Sequence, residues 1–166
     1  MGAPDSDARD GGDLDGFHIG HLPSGIGDLV SDFASEWEDV SFATRVWERQ
    51  VEDGHRVDLR VHVLRGERLG TLAELRDFLA EYHERDPAEW ELTEFQHVDS
   101  SGLIGAAEAF LPGRARVGRG RWLAAPGVAV DVLVDQERFT TDTLRAVTQG
   151  ITAPESPAAS PTCVRR

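Results

Sequence analysis

Two runs of alternating residues dominate the hydrophobic pattern. In Val40 to Val51, the residues Val40, Phe42, Thr44 and Val46 fall on one face of an extended chain, and in His55 to Leu64 the residues Val57, Leu59, Val61 and Val63 do so too. Period-two alternation predicts half-buried strands, because successive strand side chains point to opposite faces. Glu52-Asp53-Gly54 lies between the runs and predicts a hairpin turn, glycine accepting the positive φ that tight turns require. The opposite row carries Arg45, Arg49, Arg56, Asp58, Arg60 and His62, and on this pattern it faces water. Trp47 belongs to that polar row. A large aromatic on a wet face points to a partner or ligand contact, unless the N-terminal segment covers it.

Elsewhere the period changes. Leu72, Leu75, Phe78, Leu79 and Tyr82 recur at three and four, which predicts an amphipathic helix ending near Glu84, ahead of Asp86-Pro87. Thr71 is placed to cap it, with Glu74 completing a capping box. Leu29, Val30, Phe33 and Trp37 also have helical spacing, so Asp28 to Trp37 reads as a short helix. Phe17 to Leu22 reads as a strand halted by Pro23 and Gly25. Glu89 to Val98 reads as a strand with a bulge. Leu103 to Leu111 fits strand or helix by pattern and is taken as strand because it lies among strands. Pro126-Gly127 marks a turn. Val128, Val130, Val132 and Val134 then alternate as a β-branched strand. A last helix starts at Thr140 or Thr141 and runs through Leu144 and Val147 to Gly150.

This order predicts an α+β fold, mainly an antiparallel sheet with two helices packed on one face. Residues 1–15 and 152–166 are poor in large apolar groups and rich in Gly, Asp, Ala, Pro and Ser. Such stretches cannot bury enough surface to offset ordering entropy, so they are expected to be disordered tails around one domain at 16–151.

Charge narrows the function classes. The net charge is −13 over 166 residues, which repels phosphate backbones and argues against nucleic acid. No apolar run is long enough to span a bilayer, and the Asp-rich start is unlike a secretory signal, so a cytoplasmic location without membrane attachment is expected. The single cysteine, Cys163, cannot form an internal disulfide.

Candidate chemistry is sparse. His18 and His21 are three apart, and on a strand they point to opposite faces, so they converge on a metal only if the chain bends. His83 near a helix C-terminus is explained by the helix dipole. Ser100-Ser101-Gly102 lacks the G-x-S-x-G pattern of a nucleophile turn, and Ser24-Gly25-Ile26-Gly27 lacks the Lys of a phosphate loop. No catalytic residue, metal site or cofactor is implied. One cluster breaks the acidic pattern: Arg114, Arg116, Arg119 and Arg121 lie beside Trp122, among Gly113, Gly118 and Gly120. It reads as a mobile surface patch for an anion or an acidic partner, with Trp122 as aromatic anchor.

Three stretches carry a resemblance: Ser35-Glu36-Trp37-Glu38-Asp39-Val40, Arg76-Asp77-Phe78-Leu79-Ala80-Glu81-Tyr82-His83, and Pro126-Gly127-Val128-Ala129-Val130 with Arg138-Phe139. In these the chain resembles small α+β proteins of high-GC actinobacteria, a group that implies no activity. The succession of a Trp strand, a valine strand and a Thr-capped helix is similar to extracytoplasmic domains of actinobacterial lipoproteins and anti-sigma factors. That likeness implies a binding module and transfers no site residue. The expected function is therefore a non-enzymatic binding or regulatory module with a protein partner, whose contacts include Trp47 and the arginine patch. The alternative is a small-molecule binder or enzyme with a pocket between sheet and helices, using His62, His83 or His97. Oligomeric state is left open.

Overall fold

A computed structural model of the chain describes residues 10–82, 91–97, 101–108 and 116–153. The elements run β1 (Gly12–Leu14), β2 (Phe17–Ile19), β3 (Leu29–Trp37), β4 (Val40–Val51), β5 (Gly54–Arg65), α1 (Leu72–Tyr82), β6 (Glu91–Gln96), β7 (Ser101–Glu108), β8 (Arg116–Ala125), β9 (Val128–Asp135), α2 (Thr141–Gln149) and β10 (Ile151–Thr152). Seven strands form one antiparallel sheet in the order β3-β4-β5-β9-β8-β7-β6. A second sheet, β1-β2-β10, has three short strands. The mainly antiparallel character read from the sequence is what the chain adopts, with two helices among the described residues. None of the described helices is long and apolar enough to cross a membrane.

Register explains the layering. Ala43, Val63, Val130 and Trp122 are cross-strand partners and so share one face. Their neighbours Phe42, Leu64, Ala129 and Leu123 share the other. On the first face Val61, Val63, Val130, Val132 and Trp122 pack with Leu144 and Val147 of α2, and with Phe17 and Ile19 of the small sheet. On the second face Phe42, Leu64, Leu123 and Ala129 pack with Leu75, Phe78 and Leu79 of α1. The helices therefore lie on opposite faces, correcting the one-face arrangement expected from the sequence. The physical reason is that β5 and β9 are apolar on both sides where Val63 meets Val130 and Leu64 meets Ala129, so each side needs cover there.

The same register corrects the wet face of the hairpin. Thr44 pairs with His62, so the apolar row of β4 and the polar row of β5 are one face, and both His62 and Asp58 are buried. Trp47 pairs with Leu59 and Glu48 with Val57, which leaves Asp58 as the extra residue of a bulge.

Local signals account for the helix starts. Glu74 donates its backbone N–H to Thr71 Oγ1 at 3.1 Å, while the Glu74 carboxylate accepts from Gly70 N–H at 3.0 Å. Thr140 caps α2 by accepting from Thr143 N–H at 3.1 Å.

Residues 28–37 depart from expectation. They form β3, the edge strand, and not a helix. A strand without cover on either face has no burial to impose alternation, so its apolar residues can take helical spacing by composition alone. Within the segment read as a disordered N-terminal tail, Gly12–Leu14 forms β1. Of the C-terminal tail, Thr152 ends β10 and residues 154–166 lie outside the described residues.

Candidate functional site

Two places on this scaffold carry chemistry beyond packing. The first is the open edge at β3. All nine of its residues pair with β4 on one side, and among the described residues no strand lies on the other. A free edge presents a row of backbone N–H and C=O groups ready to pair with another chain. Leu29 is 41% exposed, Val30 51% and Phe33 58%, the exposed large hydrophobics among the described residues. At its far end Trp37 is anchored, its ring 5.3 Å from that of Phe78 and 5.4 Å from that of Tyr82. The two-residue turn into β4 is strained. Glu38 and Asp39 both have positive φ, 51° and 67°, where glycine or asparagine is the usual occupant.

Two ion systems, one exposed at Asp32 and one buried at Asp58, fix the edge to the body. Arg45 holds Asp32 through both Nε and Nη2, at 2.7 and 2.9 Å, and donates to Gly11 O at 2.7 Å. Asp58, fully buried, accepts from Gly27 N–H at 2.9 Å, Arg49 Nε at 3.1 Å and Arg138 Nη1 at 2.6 Å. It thereby ties the loop that enters β3 to β4 and to the segment before α2.

The second place is a polar row on the α1 face. Cross-strand pairing puts Thr44, His62, Asp131 and Arg121 in one line, with Arg60 and Arg119 in the next. Arg119 Nη1 lies 3.4 Å from Asp131 Oδ2, and Arg121 Nε lies 3.7 Å from Asp131 Oδ1. Burial draws the Arg121 guanidinium down to about 9, against the pull of Asp131 and with the push of Arg119 and Arg76. His62 and Thr44 share a hydrogen bond of 2.7 Å between Nδ1 and Oγ1. Burial draws His62 down to about 4, which Asp131 opposes and Arg60 and Arg119 reinforce, so the ring is neutral at pH 7.

At Arg119, Arg121 and Trp122 the patch read from the sequence is buried and is not a surface. Arg119 is 5% exposed, and Arg121 and Trp122 are fully buried in a central strand. The glycines beside them make room and do not loosen the chain. A Cβ on Gly120 would stand 2.7 Å from Thr148 Cγ2, so its absence lets α2 sit close on β8. Arg116 begins β8 opposite Glu108, and Arg114 lies outside the described residues. Arg121 and Trp122, adjacent on a strand, point to opposite faces and cannot form one contact surface. Trp47 is 2% exposed. It packs beneath Leu22 and Ile26 of the N-terminal segment, not against water.

The histidines do not converge either. His97 donates from Nε2 to Thr148 O at 2.8 Å and stacks on Trp122, with ring centroids 4.0 Å apart, on the α2 side of the sheet. His62 is on the α1 side, and His83 lies outside the described residues, as do Ser100 and Cys163. His18 is held between Asp10 and Asp13 at 3.0 and 2.8 Å. One concavity among the described residues, between Arg65, Glu67 and Pro126, is open to solvent and is lined by neither His62 nor His97. No protein-family model, curated protein or solved structure matches the chain.

Proposed function

We propose that this protein is a non-enzymatic binding module that takes an extended segment of a protein partner onto β3, met in the cytoplasm. The observation that carries this reading is the nine-residue open edge with Leu29, Val30 and Phe33 in water. Long, exposed, apolar edges invite uncontrolled pairing, and proteins usually blunt them with charges, bulges, prolines or cover. β3 carries the charges of Asp32 and Glu36, on one row, and contains no proline and no register shift. Added strands gain affinity from main-chain hydrogen bonds and specificity from alternate side chains, and this edge supplies both.

The test is a display selection of extended peptides on the immobilised full chain, followed by amide exchange of the bound complex. Selected peptides should protect residues 29–37 and lose binding to Val30→Ser/Phe33→Ser. Peptides that protect other residues, and bind that variant equally well, contradict the reading. Val30 and Phe33 are exposed, so this variant keeps the core intact, and a thermal melt confirms it.

A second reading is favoured by the meeting of Arg60, Arg119, Arg121 and His62 at one place on the α1 face. Guanidinium groups with a neutral imidazole suit a small carboxylate or phosphate. A rise in melting temperature with phosphate or citrate, lost in Arg119→Gln, supports it. No shift with either anion removes it.

A further inference from the structure

The edge at β3 has a chemical asymmetry that specifies its partner beyond strand addition, on which this inference rests. Successive residues of β3 point to opposite faces. Leu29, Ser31, Phe33, Ser35 and Trp37 form one row, and Val30, Asp32, Ala34 and Glu36 form the other. The first row is apolar and hydroxyl-bearing. The second carries the strand's carboxylates, with Asp28 just before it. Residues 28–39 hold five acids, Asp28, Asp32, Glu36, Glu38 and Asp39, and no basic residue. Arg45 engages Asp32. No ion pair among the described residues engages Asp28, Glu36, Glu38 or Asp39.

A strand laid on this edge places its own residues beside these rows in alternation, because facing residues of paired strands share a face. Its residues on one side meet Leu29 and Phe33, and those on the other meet Asp32 and Glu36. A second copy of this chain fits poorly. Paired antiparallel about Phe33, Asp28 would face Glu38 of the copy, and like charges directly opposite are unfavourable. A chain of net charge −13 also repels its own copy at long range.

We infer that the partner segment is an amphipathic basic strand, in which Lys or Arg occupies every second position and apolar residues lie between them. The apolar residues cover Leu29 and Phe33, and the cations face Asp28 and Glu36, on either side of the Asp32 that Arg45 holds.

The probes are four labelled ten-residue peptides. The first alternates valine with arginine. The second alternates valine with glutamate, and the third alternates valine with serine. The fourth has the composition of the first in two blocks. Each is titrated by fluorescence anisotropy against the full chain and against Asp28→Asn/Glu36→Gln, and its footprint is read by amide exchange. The alternating basic peptide should bind tightest, protect residues 29–37 and weaken with added salt. Each neutralised carboxylate should weaken it by about twofold to fivefold, the scale of exposed cross-strand charge pairs.

If the serine peptide binds residues 29–37 as tightly as the arginine one, strand addition stands and the basic partner is overturned. If the block peptide binds as tightly as the alternating one, attraction is bulk electrostatics and the inference fails. If no peptide protects residues 29–37, both the inference and the binding reading fail.

Discussion

Replacing Asp58 by Asn tests how the edge strand is held. The carboxylate is fully buried and accepts from one backbone amide and two guanidinium groups, at 2.9, 3.1 and 2.6 Å. Hydrogen bonds to charged groups contribute about 1.5 to 3 kcal/mol each, but the three share one acceptor and do not add. Breaking a buried pair by removing one partner typically costs about 3 to 5 kcal/mol. Arg49 and Arg138 are each 30% exposed, so both can partly regain water once released. The lower end then applies, a loss of about 3 kcal/mol, or about 10 °C in melting temperature for a domain of this size. Urea unfolding of the parent and Asp58→Asn measures it, with the midpoint falling and the slope unchanged. As a control, Glu137→Gln removes a half-exposed carboxylate paired with Arg56 and should change stability by less than about 0.5 kcal/mol. A loss below about 1 kcal/mol for Asp58→Asn would refute the view that this carboxylate anchors the entry to β3.

Other expectations follow from particular contacts. His62 has a depressed folded pKa, so the folded state gains from it only while the unfolded ring is also neutral. Stability is full above about pH 6.5 and falls by about 3 kcal/mol as pH drops from there toward 4, which His62→Gln should flatten in urea melts at several pH values. His18 is raised, chiefly by its hydrogen bond to Asp13, so its contribution is full below the unfolded pKa and fades as pH rises through the folded one. A proton titration by NMR should find its midpoint well above that of His62. Gly120→Ala puts a methyl against Thr148 Cγ2 and should cost about 1 to 3 kcal/mol in chemical denaturation. Asp39→Gly relieves a positive-φ position in the β3–β4 turn and should stabilise by about 0.5 to 1 kcal/mol, measured the same way.

What the sequence disclosed depended on whether burial was one-sided. β4 and β9 alternate because in each a continuous row meets a covered face, and both were legible. The helix caps at Thr71 and Thr140 were legible because they are local chemistry. β3 was not, since an uncovered edge imposes no period and Leu29, Val30, Phe33 and Trp37 mimic a helical stripe. The layering was hidden for the opposite reason. Val63 and Leu64, like Ala129 and Val130, are buried on both faces, and only register shows that two helices on opposite sides cover them. Arg119 and Arg121 looked exposed because arginine seldom lies in a central strand and the glycines around it suggested a loop. Pairing across three strands, β8, β9 and β5, brings them to Asp131 and His62, and no local pattern announces that. Exposed Phe33 carries the proposed function, and it surfaced only when β3 was seen to be the last strand in the sheet.

The central claim is that β3 is paired on one side and open on the other, and residue-resolved amide exchange of the free protein tests it most directly. Antiparallel pairing to a single neighbour protects every second amide. Slow and fast exchange are expected in strict alternation along residues 29–37, with the fast set slowing once a partner strand binds. Uniform protection in the free protein would show an edge already covered, and uniformly fast exchange would show no paired strand there; either contradicts it.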